Sequence, residues 1–223
     1  MVLGPWIRKN WLRVLVHVGA WVPLAWLATQ YLQGAFLVDP IREMTTYTGK
    51  TALILLMLSL ACTPISTVTG LKQVVRVRRA LGLYSLLYAS VHFAIFVGLD
   101  YGFDLGLLRE AIFEQRYVIV GFSAGLILLL LGITSTRGWQ KRLRRNWKRL
   151  HRLVYLAGIL AVAHFLWLVK DPQEPLRYAA LLAGLLVLRL PPVRRAVSTL
   201  RRRLASRRKR QQGREPGILA PHR

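Results

Sequence analysis

The chain has 223 residues, is 54% hydrophobic with a mean hydropathy of +0.36, and carries a formal charge of +24. That combination excludes an ordinary soluble domain, which is less apolar. It also excludes a soluble nucleic-acid binder, which can share the high pI but not the long uncharged runs. Each run approaches the roughly 20 residues needed to cross a bilayer, so the expected fold is all-α, a six-helix transmembrane bundle.

The first run, about 11–32, follows a basic start (Arg8, Lys9, Arg13). It is too long for a secretory signal and has no small-x-small cleavage site, so it reads as an uncleaved helix. The second, 49–65, contains the one cysteine, Cys62, which can form neither an internal disulfide nor a thiolate cluster and reads as a small core residue. Gly49-Lys50-Thr51 ends like a phosphate-binding loop, but Met44 stands where the earlier glycine is required. The third run, 80–100, contains His92, and the fourth is 117–134. The fifth, 151–169, begins at His151 and contains His164, and the sixth, 177–191, is closed by Pro191-Pro192. Residues 1–10 are then a short N-terminal segment, 11–191 the membrane domain, and 192–223 a basic tail expected to be disordered beyond about 205. No sequence repeat is detectable among the spans.

Charge sets the expected orientation. Alternate connecting segments hold 27 Lys and Arg, and the segments between them hold 6. The positive-inside rule therefore places both termini in the cytoplasm. The tail, with Arg201-Arg202-Arg203, meets anionic headgroups on that reading, not nucleic acid.

An ionisable ring within hydrocarbon is costly and is usually kept for a task, and histidine is a common axial ligand of haem iron. His92 and His164 each lie 13 residues, or roughly 20 Å, from the inner end of their span, so they are expected at one depth, able to clamp one iron. His151, at the inner edge, is a candidate for a second haem, and two haems so spaced would carry an electron across the membrane. His17 is a candidate ligand, quinone contact or helix–helix bond. One difficulty arises: 13 residues on an ideal helix leave the His151 and His164 side chains about 140° apart.

Several segments together resemble a known family: Trp11 to His17, Asp39-Pro40, Thr48 to Leu53, Thr63-Pro64, Arg78 to Leu83, His92, Thr134-Ser135, Trp147 to His151, Val154-Tyr155 and His164. In this order and spacing they resemble the haem-binding membrane subunits of the bacterial periplasmic methionine sulfoxide reductase system, within the ferric-reductase-like transmembrane domains. The resemblance implies b-type haem, one or two, held by His92, His164 and His151. It also implies flavin mononucleotide, a quinone or flavoprotein donor, and a periplasmic molybdopterin-containing partner that performs the catalysis. The location implied is the bacterial inner membrane. The family usually carries a histidine on the inner part of the third span, where this chain has Arg78. The inner ligand set is thus open between His151 with His17, with a weak ligand or with none, and Arg78 is a candidate partner of a haem propionate. Two other readings stand beside this one. The first is the cytochrome b of a ferric reductase or dehydrogenase, and the second a cofactor-free transporter with a histidine proton relay.

Overall fold

In the computed structural model, which describes residues 3–36 and 38–212, the chain is helical throughout, with no strand among those residues. The helices are α1 (Leu3–Leu32), α2 (Pro40–Thr69), α3 (Lys72–Ile95), α4 (Leu105–Glu114), α5 (Arg116–Ile133), α6 (Arg137–Leu150), α7 (Leu153–Leu168), α8 (Gln173–Val187) and α9 (Pro191–Gln212). A π-helical turn, Phe96–Asp100, extends α3. Helices are what an apolar chain must form in lipid, because each backbone donor and acceptor has to be satisfied within the segment.

Four helical stretches are long and apolar enough to cross a membrane alone: Asn10–Leu32, Pro40–Thr69, Lys72–Asp100 and Arg116–Ile133. The count rises to six if two bent pairs each form one span, α6 with α7 at 51° and α8 with α9 at 74°. The six expected runs thus all fall on helices, but the last two spans are short helices continued by bent basic partners. The charged stretch 135–152, expected as a connection, is largely α6. The stretch is broken at Arg144 (φ 46°), and half-buried Gln140 and Leu143 before the break and Trp147 and Leu150 after it stand among basic residues, as in short helices lying at a membrane surface. The basic tail is helical to Gln212, and residues 213–223 lie outside the described residues.

α2 is the centre of the bundle. Half of its apolar window is buried, against 11–22% for α1, α3 and α5, which turn more of their surface outward. Asp39 caps it by accepting the Arg42 N–H, Pro40 occupies its first turn, and Gly70, at φ 82°, closes it by donating to the Ser66 carbonyl. Buried side chains bind it to α3: Ser85 Oγ donates to the Ala52 carbonyl at 2.8 Å and Ser59 Oγ to the Arg78 carbonyl at 2.9 Å. Cys62 is buried here, as its sequence context suggests, with Sγ 3.2 Å from the Leu58 carbonyl.

Pro64 lies inside α2 and has no N–H for the carbonyl four residues back, that of Leu60. Arg189, from the α8–α9 junction, fills the gap. One guanidinium nitrogen donates to the Leu60 carbonyl and another to the Tyr155 hydroxyl of α7. One arginine thus ties three helices together at a point where lipid could not have supplied the missing hydrogen bond. Arg189→Met is expected to cost about 1–3 kcal/mol. In a Pro64→Ala background, where the N–H is restored, the cost should be smaller. Thermal unfolding of the four proteins in detergent measures the coupling, and equal costs in both backgrounds would show the two features to be independent.

Candidate functional site

The structure brings His92 and His164 together. Their rings, on α3 and α7, stand 6.2 Å apart centre to centre with planes at 87°. An imidazole nitrogen binds a metal at about 2 Å and lies about 1 Å from its ring centre, so two rings on one metal stand about 6 Å apart. Each ring is fixed from behind. His92 Nδ1 lies 2.8 Å from the Thr45 carbonyl of α2, and His164 Nδ1 lies 2.7 Å from the Tyr117 carbonyl of α5. A carbonyl can only accept, so both Nδ1 atoms carry the proton and both Nε2 lone pairs are free for a metal.

A glycine one turn further along makes each bond possible. A Cβ on Gly49 would stand 3.0 Å from the His92 ring, and one on Gly121 would stand 2.6 Å from His164 Nδ1. The two halves match at the positions that build the site. In both, the accepting carbonyl lies 47 residues before its histidine, and Thr45, Gly49 and His92 recur as Tyr117, Gly121 and His164 after a shift of 72 residues. Ala52, Leu56 and Phe93 recur likewise as Ala124, Leu128 and Phe165. The packing swaps accordingly: Gly132 receives Leu86, while Gly158 receives Leu60. The molecule therefore contains a two-fold structural repeat, α2–α3 and α5–α7, that is too diluted by apolar substitution to show in the sequence. These glycines were missed as site residues. The signal for them was the constant interval between a glycine and a histidine in two separate pairs of runs.

Between the two hairpins lies a cavity of about 630 Å³, within the usual size of a cofactor pocket, and both histidines line it. Its walls are mainly apolar, with a polar end marked by Asp39, Arg42 and Asp100. Among the described residues, no three His, Cys, Asp or Glu side chains gather to hold a metal ion. Two opposed nitrogens without a third protein donor suit a metal whose other positions are filled by a macrocycle.

His151 does not line this cavity. Its ring stacks on Trp147 at 4.1 Å, and Nε2 lies 3.3 Å from Thr134 Oγ1, while the Trp147 indole donates to the Thr134 carbonyl. The fifth run, expected over 151–169, is α7 (Leu153–Leu168); α6 ends at Leu150, His151 and Arg152 form the turn between them with helical backbone angles, and the 51° bend separates α6 from α7. His17 sits on an outward-facing part of α1 with Nδ1 2.9 Å from the Tyr84 hydroxyl of α3, and no contact to His151 is present among the described residues. Arg78 lies within electrostatic range of His151, and also of Arg189 and Cys62. The position 72 residues before His151 is Arg79, not Arg78, and its Nε donates to Ser135 Oγ at 3.1 Å.

The family described as "Ferric reductase like transmembrane component" matches residues 48–162, from one residue before Gly49 to two residues before His164. The chain belongs to this family. Its similar relatives include protein-methionine-sulfoxide reductase heme-binding subunits, MsrQ. That of Xanthomonas axonopodis pv. citri is 47% identical over 78% of this chain and 83% of the relative. That of Xanthomonas oryzae pv. oryzae is 45% identical over the same shares. The Klebsiella pneumoniae subunit is 40% identical over 80% of this chain and 90% of its own length. The matched span covers both hairpins almost completely.

Gly121→Ala should drive the His164 ring off its carbonyl and weaken retention of a bound cofactor by about tenfold or more, the usual effect of losing such a supporting bond. Gly49→Ala, with its looser contact, should have a smaller effect, and Gly184→Ala, with open space at its Cβ, none. Cofactor absorbance per protein after purification checks the order.

Proposed function

We propose that this chain is an electron-carrying membrane subunit that holds b-type haem between His92 and His164 and serves a partner that reduces methionine sulfoxide. One observation carries the reading: two imidazoles oppose each other across a cavity, each with Nδ1 tied to a carbonyl and Nε2 left open. The relatives' names, which state heme binding and protein-methionine-sulfoxide reductase, support it. Bound there, haem would supply a one-electron store at its iron. The protein's residues do the rest. The Thr45 and Tyr117 carbonyls hold the ring orientation and raise the basicity of the ligating nitrogens. Gly49 and Gly121 let the helices approach closely enough for those bonds, and the apolar walls keep water away.

On this reading both termini are cytoplasmic, the membrane is the bacterial inner membrane, and the acceptor is a periplasmic molybdopterin-containing subunit forming a heterodimer with this chain. The donor is the quinone pool or a separate flavoprotein, because the sequence carries no Gly-rich dinucleotide fingerprint of its own. Flavin mononucleotide is an additional cofactor. His151, at the other end of α7, ligates a second haem, with Arg78 close by to offset its charge.

A reduced-minus-oxidised visible spectrum of the purified protein, with haem quantified, tests the proposal. Sharp low-spin b-type bands are expected. His92→Ala and His164→Ala should each abolish the same signal, while His151→Ala should leave that signal in place. A protein that stays colourless despite ample haem supply would overturn the reading. Copurification of a sulfoxide-reducing partner separates it from a ferric reductase or dehydrogenase cytochrome.

A further inference from the structure

Two cations border the cavity, Arg42 and Lys50, both on α2. Lys50 is already engaged: Nζ lies 2.6 Å from Glu174 Oε2 of α8 and 5.6 Å above the centre of the Phe165 ring. Arg42 is not. Its backbone N–H donates to Asp39 Oδ1, but among the described residues its guanidinium makes no hydrogen bond or ion pair. Asp39 and Asp100 share the same end of the cavity, yet neither pairs with it.

Its height along α2 gives this free charge a meaning. Arg42 is seven residues outward of Gly49, on which the His92 ring rests, or about 10 Å at helical rise. It therefore overlooks the polar end of an otherwise apolar cavity, about half the width of a tetrapyrrole away from the level of the two imidazoles. The charged groups of b-type haem are two propionates on one edge. Carboxylates leaving an apolar cavity unpaired are costly, and the planar fork of arginine matches a carboxylate in two parallel hydrogen bonds. The repeat makes the placement one-sided. The positions 72 residues beyond Arg42 and Lys50 are Glu114 and Phe122, so the second hairpin offers no cation there. The apolar walls are near-duplicates, but the charges are not.

We propose that the Arg42 guanidinium binds a haem propionate at the outer mouth of the cavity and so selects which edge of the macrocycle faces out. This rests on the function proposed above. The experiment follows haem loss from the full-length, detergent-solubilised protein to excess apomyoglobin and titrates the midpoint potential of the same samples. It compares wild type with Arg42→Gln, Arg42→Lys and Arg109→Gln, the last removing an exposed outer cation of α4 that does not line the cavity. Arg42→Gln should lose haem about tenfold or more faster, the equivalent of one charge-assisted hydrogen bond. Its potential should fall, because an uncompensated carboxylate favours ferric iron. Arg42→Lys should fall between, and Arg109→Gln should match wild type. Loss and potential unchanged in Arg42→Gln, or an equal acceleration in Arg109→Gln, overturns the propionate assignment while the low-spin spectrum of those same samples leaves the histidine ligation standing. A wild type that purifies without haem overturns both.

Discussion

The site depends on two hydrogen bonds of one kind, from histidine Nδ1 to a backbone carbonyl on the neighbouring helix. A free imidazole on a helix has several rotamers and two tautomers. The bond to a carbonyl removes both freedoms at once and turns the remaining nitrogen toward the cavity. The cost is that the partner helix must come within reach of the ring, and at that point a Cβ would press on it, more at Gly121 than at Gly49. Helix approach, ring orientation and cavity shape are therefore one constraint met twice, once by α2 with α3 and once by α5 with α7.

Much of this was legible in the sequence. Apolar length located every helix long and apolar enough to cross a membrane, and the equal offsets of His92 and His164 within their runs anticipated that they would meet. Other features were hidden for identifiable reasons. The carbonyls of Thr45 and Tyr117 are main-chain groups that any residue could have supplied. The internal repeat survives at a few positions fixed by close contact, while the lipid-facing remainder has exchanged one aliphatic residue for another at little energetic consequence. α6 is so rich in basic residues that the stretch before His151 read as a connection, and neither proline nor glycine marks the turn at His151 and Arg152 that joins it to α7.

The end of the bundle away from the paired histidines follows a different logic. Here the repeat is not kept: Arg79 occupies the place that corresponds to His151, and arginines, not histidines, make the structural links. Arg189 restores the hydrogen bond that Pro64 withholds, and Arg201 of α9 donates to the Thr67 carbonyl in the last turn of α2 and to the Ser66 carbonyl, which also accepts from Gly70. Both satisfy carbonyls in the C-terminal half of the central helix. Part of the high positive charge is thus structural, spent on main-chain acceptors and not on lipid headgroups.

The placement of the paired histidines on separate hairpins also sets an order of assembly. A chain inserted from its N-terminus completes the first half of the cavity when His92 is in place, but the opposing nitrogen arrives only with α7, after about three-quarters of the sequence has been made. Until then α2 and α3 must hold together through their own contacts, the buried Ser85 and Ser59 bonds among them. The first hairpin is therefore a unit that must be stable before the paired site exists, and any ligand that needs both imidazoles can be taken up only after α7 has been made.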